Sequence, residues 1–318
     1  MKYVVVGGAG FIGSNIVDKL IEQNHEVVVI DNLSTGNLTN VNPQAQLEYI
    51  DISNTDECDN MVEVMNGADT VFLLAAKARV QPSIENPVEY EQNNTIGTLN
   101  VLKCASDAGV KRVVYSASSS AYGNTDKLPS VESDPVNPLS PYGAQKYYGE
   151  VMCKMFSQVY DIETVSLRYF NIYGERQNVG GAYAMVIGIF ADQRLNDKPM
   201  TIRGDGEQRR DFTYVGDVVN ANILASQSEK VGKGEVINIG NGDNRSINEI
   251  AAMIGGPTEE VEPVIEPKET LADNSLAREL LGWKPTGNVE KWISEYRKVI
   301  GLSDDENNIW GYDTGGES

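Results

Sequence analysis

A strand-like run, Lys2–Val6, passes straight into Gly7-Gly8-Ala9-Gly10-Phe11-Ile12-Gly13, and a helical pattern begins inside that glycine stretch, over Phe11–Gln23. A strand that turns on glycine directly into a helix opens a β-α-β unit, so the chain is restricted to folds built from such units. The first half repeats the rhythm. Apolar runs recur at Glu26–Ile30, Leu47–Ile50, Thr70–Ala75, Arg112–Ser116 and Thr164–Leu167, with helical segments such as Val88–Ala108 between them. These runs are continuous rather than alternating, which suits strands covered on both faces. The expected fold is α/β, a doubly wound parallel sheet.

Beyond about Phe170 the pattern loosens. Gly180-Gly181-Ala182-Tyr183 leads into a predicted helix near Met185–Arg194, and Arg203-Gly204-Asp205-Gly206 marks a turn. Strand and helix signals return at Asp211–Ser226 and Val236–Ile239, followed by Ile247–Ile254, Asn274–Leu281 and Val289–Ile300. We expect residues 1–170 to form a large domain to which 211–240 return. Residues 171–210 and 241–302 should form a smaller, interleaved C-terminal substrate domain. The acidic stretch 303–318 reads as a flexible tail.

Charge and composition narrow the partners. With 46 acidic and 26 basic residues the net charge is -20, which disfavours nucleic acid and anionic membranes. No apolar run is long enough to span a bilayer, and the N-terminal one meets glycine before reaching signal-peptide length. Cys58, Cys104 and Cys153 are odd in number and widely spaced, so reduced thiols and a cytoplasmic location are expected. The lone histidine, His25, supports neither a histidine triad nor a zinc site, and no metal is expected.

The glycines at 7, 10 and 13 have the roles a dinucleotide turn needs. Gly7 makes the tight turn, Gly10 lets a pyrophosphate approach the backbone, and Gly13 lets helix and strand pack closely. The helix start then offers amide donors and a positive dipole end. Asp31 ends the second strand, where a carboxylate accepts from a ribose 2′-hydroxyl and repels a 2′-phosphate, so NAD is favoured over NADP. The fold is thus a Rossmann-type sheet. Asp51-Ile52, closing the third strand, either edges an adenine or simply caps the turn at Ser53-Asn54.

Tyr142 and Lys146 are four residues apart, hence on one face of a helix that Ser140 can cap and Pro141 can start. A nearby Lys⁺ and a positive nicotinamide both favour the phenolate, making a tyrosine usable as a base. The spacing alone is also a common surface pair. What adds weight is Val113-Val114-Tyr115-Ser116-Ala117-Ser118-Ser119-Ser120, an apolar strand ending in hydroxyls at the ligand-binding end of such a sheet. Ser118 there can donate to a substrate hydroxyl and pass its proton toward Tyr142.

These residues resemble an extended short-chain dehydrogenase/reductase of the nucleotide-sugar epimerase and dehydratase group. The resemblance runs from Met1 to about Trp283 and includes Asp31-Asn32-Leu33-Ser34-Thr35-Gly36, Asn94-Thr95-Ile96-Gly97-Thr98, Leu167-Arg168-Tyr169-Phe170-Asn171, Arg210-Asp211-Phe212 and Leu271-Ala272-Asp273. It implies a catalytic set of Ser118, Tyr142 and Lys146. For the cofactor it implies Phe11, Ile12, Asn32, Ser34 and Gly36, the backbone of Leu74-Ala75-Ala76, and Asn94, Ser116 and Tyr169. For a nucleotide sugar it implies Asn171 and Arg210 at the phosphates, with Ser119, Ala182, Tyr183 and Asp273 nearby. Lys77 and Arg79, after the fourth strand, fit phosphate contacts or ordinary solvated loop charges equally.

Dehydratases of this group carry Asp-Glu where this chain has Ser119-Ser120, so the resemblance favours 4-epimerisation through a 4-keto sugar with Tyr142 as base. A decarboxylase's glutamate is missing as well. Thr270 matches a steric gate at which a small residue admits an N-acetyl group. UDP-GlcNAc/UDP-GalNAc interconversion is therefore expected first, UDP-glucose/UDP-galactose next, with a UDP-glucuronate 4-epimerase, a sugar-nucleotide dehydratase or decarboxylase, or a non-catalytic NAD sensor as alternatives. Homodimerisation through Val88–Ala108 and Tyr142–Tyr160 is also implied. One departure stands out: Pro263 occupies the place of a pyrophosphate-gripping arginine, within a stretch holding Glu262 and Glu266. Lys268 and Arg245 are the candidate replacements.

Overall fold

A computed structural model describes residues 1–125, 127–179 and 184–302. Its first half contains β1 (Lys2–Val6), α1 (Phe11–Glu22), β2 (Glu26–Ile30), β3 (Gln46–Glu48), α2 (Cys58–Met65), β4 (Thr70–Leu73), α3 (Val80–Glu85), α4 (Pro87–Glu91), α5 (Gly97–Asp107), β5 (Arg112–Ser118), α6 (Pro141–Val159) and β6 (Glu163–Tyr169). Then follow β7 (Ile172–Tyr173), α7 (Val186–Leu195), β8 (Met200–Arg203), β9 (Arg209–Asp211), β10 (Thr213–Tyr214), α8 (Val215–Gln227) and β11 (Lys233–Ile239). The last elements are β12 (Asn244–Ser246), α9 (Ile247–Ile254), β13 (Thr258–Val261), α10 (Ser275–Leu281) and α11 (Val289–Val299). The expectations placed on Gly180–Tyr183, and so on Ala182 and Tyr183, and on residues 303–318 lie outside the described residues.

Seven strands form one sheet in the order β11-β6-β5-β4-β1-β2-β3, with every neighbouring pair parallel. Ile16, Val17 and Leu20 of α1 and Val218 and Val219 of α8 cover one face, packing on Val5, Val29 and Val114. Met61 and Met65 of α2, Val101 and Leu102 of α5 and Phe156 of α6 cover the other, packing on Val4, Val28 and Val113. Burial on both faces is why the strands read as unbroken apolar runs. The fold is an α/β, Rossmann-type doubly wound sheet. Its strand order reverses beside β1, which opens a crevice at the carboxyl ends of the strands.

A second core gathers Ile187 and Phe190 of α7, Met200 and Ile202 of β8, Ile247, Ile250 and Ile254 of α9, and Val289 and Ile293 of α11. Parallel β8–β13 and antiparallel β9–β12 frame it. Ser246 starts α9 with a capping box: its Oγ accepts from the Glu249 amide at 3.1 Å while the Glu249 carboxylate accepts from the Ser246 amide at 2.7 Å. The chain then returns to the large sheet. Ala277, Leu281 and the fully buried Trp283 join the α1–α8 core, and the Trp283 indole N–H donates to the Asp217 carbonyl at 2.8 Å.

Two local departures from the sequence pattern bear on the site. The helix expected over Val88–Ala108 contains a wide π turn at Gln92–Ile96 between α4 and α5. That turn lets Asn93 and Asn94 both accept from the Lys77 amide, at 3.1 and 2.8 Å. β5 also extends two residues past its predicted end, because pairing with β6 continues to Ser118 opposite Tyr169.

Gly7 has a positive φ of 88°, and Gly13 sits so close above it that a Cβ at 13 would lie 2.1 Å from the Gly7 carbonyl oxygen. Gly13→Ala should therefore push α1 off β1. We expect a loss of roughly 1–3 kcal/mol in denaturant unfolding together with loss of NAD binding by titration. An unchanged midpoint and affinity refute this close-packing account.

Candidate active site

A cavity of about 820 Å³ occupies the crevice, walled by residues of the large sheet on one side and of the β8–β9 and 264–270 region on the other. At the β1 end its wall includes Gly7, Gly10, Phe11, Ile12 and Gly13. Gly10 is the N-cap of α1 and supplies no side-chain cap, so the first amides of a twelve-residue helix remain available to an anion. Asp31 is buried and accepts from the Ala9 amide at 3.0 Å and the Leu33 amide at 2.8 Å. Each carboxylate oxygen keeps lone pairs for ribose hydroxyls. Asn32, Thr35 and Gly36 continue the wall, with Ile50 and Ile52 as an apolar slot. An uncapped helix start, an acceptor for ribose and an apolar base slot in one crevice fit a dinucleotide.

Several expected contacts are turned to other work. The Ser34 amide donates to the Asn32 side chain at 3.0 Å, and it is Thr35, not Ser34, that lines the cavity. Asp51 closes a turn, accepting from the Ser53 amide at 2.9 Å and the Ser53 hydroxyl at 2.6 Å, and does not reach the wall. Burial raises its carboxyl's proton affinity, but the bonds from Ser53 and Asn32 and the charge of Lys77 outweigh this and leave it below the usual range. Asn94 is buried as a clamp: its amide donates to the Lys77 carbonyl at 3.0 Å and to Gln145 of α6 at 2.9 Å. That clamp braces the Leu74-Ala75-Ala76 wall, whose first two amides donate to the Val6 carbonyl at 2.8 and 2.9 Å.

The candidate catalytic residues meet between β5 and α6. Ser140 caps α6, its Oγ accepting from the Gly143 amide at 3.1 Å, with Pro141 in the first turn. The Tyr142 amide donates to Ser83 Oγ at 3.2 Å, which ties this helix start to α3. Farther along, Gly149 lets α6 lie on β5, since a Cβ there would be 2.2 Å from the Tyr115 hydroxyl. Ser116, Ser118, Ser119, Ser120, Tyr142, Lys146 and Tyr169 all line the cavity. The Lys146 ammonium donates to the Ser116 carbonyl at 2.8 Å and stands 5.1 Å from the Tyr115 ring centre. Tyr169 is locked by Ser116 Oγ at 3.0 Å and by the Asn222 amide at 2.8 Å.

Electrostatics here depart from the expectation for Tyr142. Burial pushes the phenol above its ordinary value, and the Ser118 hydroxyl is what pulls the other way. Burial also pulls the Lys146 ammonium down to about 8, opposed by the nearby Cys153 and Glu150. Glu150, one helical turn along, is bound by Arg168 through two bonds of 2.8 and 2.6 Å. Arg168 in turn lies 4.5 Å over the Tyr122 ring.

On the substrate side Asn171, Arg79, Arg203, Arg210, Glu266 and Thr270 face the cavity. The Asn171 amide donates to the Asp211 carbonyl and to Thr270 Oγ1, both at 3.3 Å. Arg210 donates to Glu266 at 2.6 Å, so Glu266 is turned inward onto the cation. Arg79 donates to the Ala184 carbonyl. Lys77 instead pairs with Glu89, and Asp273 accepts from the Ser275 amide at 2.8 Å to start α10, so neither lines the wall. Arg245 pairs with Glu290 and Asp243 at 2.6 and 2.7 Å, and neither it nor Lys268 faces the cavity. The sequence places Thr35 inside the Asp31–Gly36 motif and Glu266 in the stretch around Pro263 without assigning either to the cavity, and it marks Arg203 only as part of a turn, because strand register and turn direction decide which way they point.

Residues 3–240 match the family model of the NAD dependent epimerase/dehydratase family. A putative UDP-glucose 4-epimerase of Methanocaldococcus jannaschii is 45% identical over 254 residues, 79% of this chain and 80% of that protein. Among solved structures, the UDP-glucose 4-epimerase of Thermotoga maritima with UDP-glucose superposes with a TM-score of 0.88 at 36% identity, covering 94% of this chain and 100% of that one. The UDP-N-acetylglucosamine 4-epimerase of Methanobrevibacter ruminantium, in complex with UDP-N-acetylmuramic acid, gives 0.86 at 35% identity, covering 95% and 97%. With a matching family model across most of its length and a crevice that fits the dinucleotide, the chain belongs to the NAD-dependent epimerase/dehydratase family and uses NAD as its cofactor.

Proposed function

We propose that this protein interconverts the C4 epimers of UDP-linked hexoses, with UDP-N-acetylglucosamine and UDP-N-acetylgalactosamine preferred over UDP-glucose and UDP-galactose. The observation that carries it is the hydroxyl–phenol–ammonium set of Ser118, Tyr142 and Lys146 on one cavity wall. No carboxyl group occurs within residues 116–120 or 142–146 to perform an elimination. The named activities of the similar proteins agree with C4 inversion. Thr270, small and placed on the wall, supports the N-acetylated substrates.

Bound NAD⁺ would supply a reversible hydride acceptor for C4 and a positive ring that favours the Tyr142 phenolate. Tyr142 takes the proton of the sugar 4-hydroxyl, leaving a 4-keto sugar, and gives it back when the hydride returns. Ser118 donates a hydrogen bond at that oxygen. Lys146, with one N–H committed to Ser116, keeps two others for the cofactor's ribose. Arg210 and Asn171 hold the nucleotide while the sugar stays loosely held, free to present either face. The same reading includes a homodimer through α4–α5 and α6, which leave Val88 81%, Val159 65% and Val151 43% exposed.

Four measurements test this. Incubation with each UDP-sugar, UDP-glucuronate included, and separation of the epimers should show conversion, fastest for the N-acetylated pair. Tyr142→Phe should lower kcat at least about 100-fold with NAD still bound, and no conversion of any of these substrates sinks the epimerase reading. Lys146→Met should lose activity yet be more stable at pH 7 by roughly 1–3 kcal/mol, because a buried cation held near 8 rather than its ordinary value opposes folding. Unfolding restores that group's proton affinity, so the wild type gains stability as pH rises from 8 toward 10, and the mutant's advantage must shrink over that window. An advantage that stays flat contradicts the assignment. Sedimentation should find a dimer that the Val88→Glu/Val151→Glu double substitution dissociates, whereas a wild-type monomer excludes this interface.

A further inference from the structure

Three arginines face the cavity, and two are already engaged. Arg79 donates to the Ala184 carbonyl, and Arg210 donates to Glu266 at 2.6 Å and to the Arg209 carbonyl at 2.8 Å. Arg203 differs. It ends β8, is exposed to the cavity, and its side chain has no partner among the described residues. Its charge is close enough to Arg79 to weaken, after burial, that residue's hold on its proton. In a chain of net charge -20, carboxylates are plentiful, yet among the described residues none is paired with this guanidinium. Arg79 and Arg203 face one cavity with no carboxylate paired to either among the described residues, and two such cations mark a place where an anion binds.

The surroundings fix which anion. Gln208 donates to the Arg203 carbonyl at 2.9 Å and to the Glu266 carboxylate at 3.3 Å, so the end of β8 stands beside the Arg210–Glu266 pair. Glu266 cancels the charge of Arg210, which leaves Arg210 without a surplus for a group carrying two negative charges. β13 pairs with β8 so that Val261 is opposite Arg203, and the chain then brings the Pro263 Cβ within 3.5 Å of where a Gly204 Cβ would lie. Position 263, where an arginine was expected, therefore borders the 203–204 corner.

We propose that Arg203 is a substrate-binding residue that grips the diphosphate of the nucleotide sugar, supplying from β8 the cation that Pro263 does not. This rests on the reading of the cavity as a UDP-sugar site. A fork of guanidinium donors on a diphosphate forms charge-assisted, bidentate bonds.

The test is the affinity of the NAD-loaded protein for UDP and for uridine, by calorimetry. Arg203→Gln should weaken UDP about 10- to 100-fold and leave uridine and NAD unchanged. Arg203→Gln/Pro263→Arg, which returns the charge across the strand pair, should recover most of the UDP affinity. Equal weakening of uridine would mean that Arg203 recognises the base, and unchanged UDP affinity would mean that it binds nothing here; either overturns the proposal. A wild type that binds UDP through Arg203 but converts no UDP-sugar refutes the epimerase reading and leaves this one standing. A wild type that binds no UDP refutes both.

Discussion

Glu150 and Arg168 face each other through two short bonds at a place where their side chains are only 2% and 3% exposed. Burying both charges is costly, and only near-ideal geometry offsets it; removing either partner would strand the other. The pair joins α6 to β6, and α6 carries both Tyr142 and Lys146. One turn back along the helix, Lys146 extends the series of alternating charges from Arg168 through Glu150. Burial pushes the Glu150 carboxyl up, and the bonds and charge of Arg168, with Lys146 behind it, resist. The helix that carries the proposed base is thus held by an interaction whose carboxylate also favours the charged form of the buried Lys146 ammonium.

Elements whose pattern follows from burial were plain in the sequence. Ile247–Ile254, set apart in the sequence as a patterned segment, forms α9 over the same bounds, with a complete capping box. The glycine run after β1 likewise leaves one close-packed arrangement. Polar residues in turns were less legible. Ser34, Asp51 and Asp273 stand at the positions the resemblance implies, yet in each turn the local backbone amides decide what faces the cavity. Spacing along a chain specifies a neighbourhood, while an Asx-type turn decides direction. The π turn at Gln92–Ile96 escaped the 3.6-residue pattern for a similar reason, since the Lys77 amide it meets lies outside the helical segment.

Two aspartates hold the returning segments. Asp211 accepts from the amides of Asn241, Gly242 and Ala272 at 2.8, 3.0 and 3.0 Å, joining β9 to both loops that flank it. Burial still pushes its carboxyl up to about 6. Asp217 accepts from the Thr286 and Gly287 amides at 2.9 and 2.7 Å and so fixes the approach to α11. Both aspartates act on backbone rather than on ligand, and both lie where the chain passes from one core to the other.

That passage recurs: the chain leaves the large sheet after β6, rejoins it with α8 and β11, leaves again at β12, comes back with α10 and departs for α11. A molecule threaded this way has no single hinge. Each crossing limits the separation of the two cores, so their relative movement is confined to small sliding rather than wide opening. A crevice held in this way resists widening, so under the proposed epimerase reading a large reorientation inside it would fall to the bound sugar.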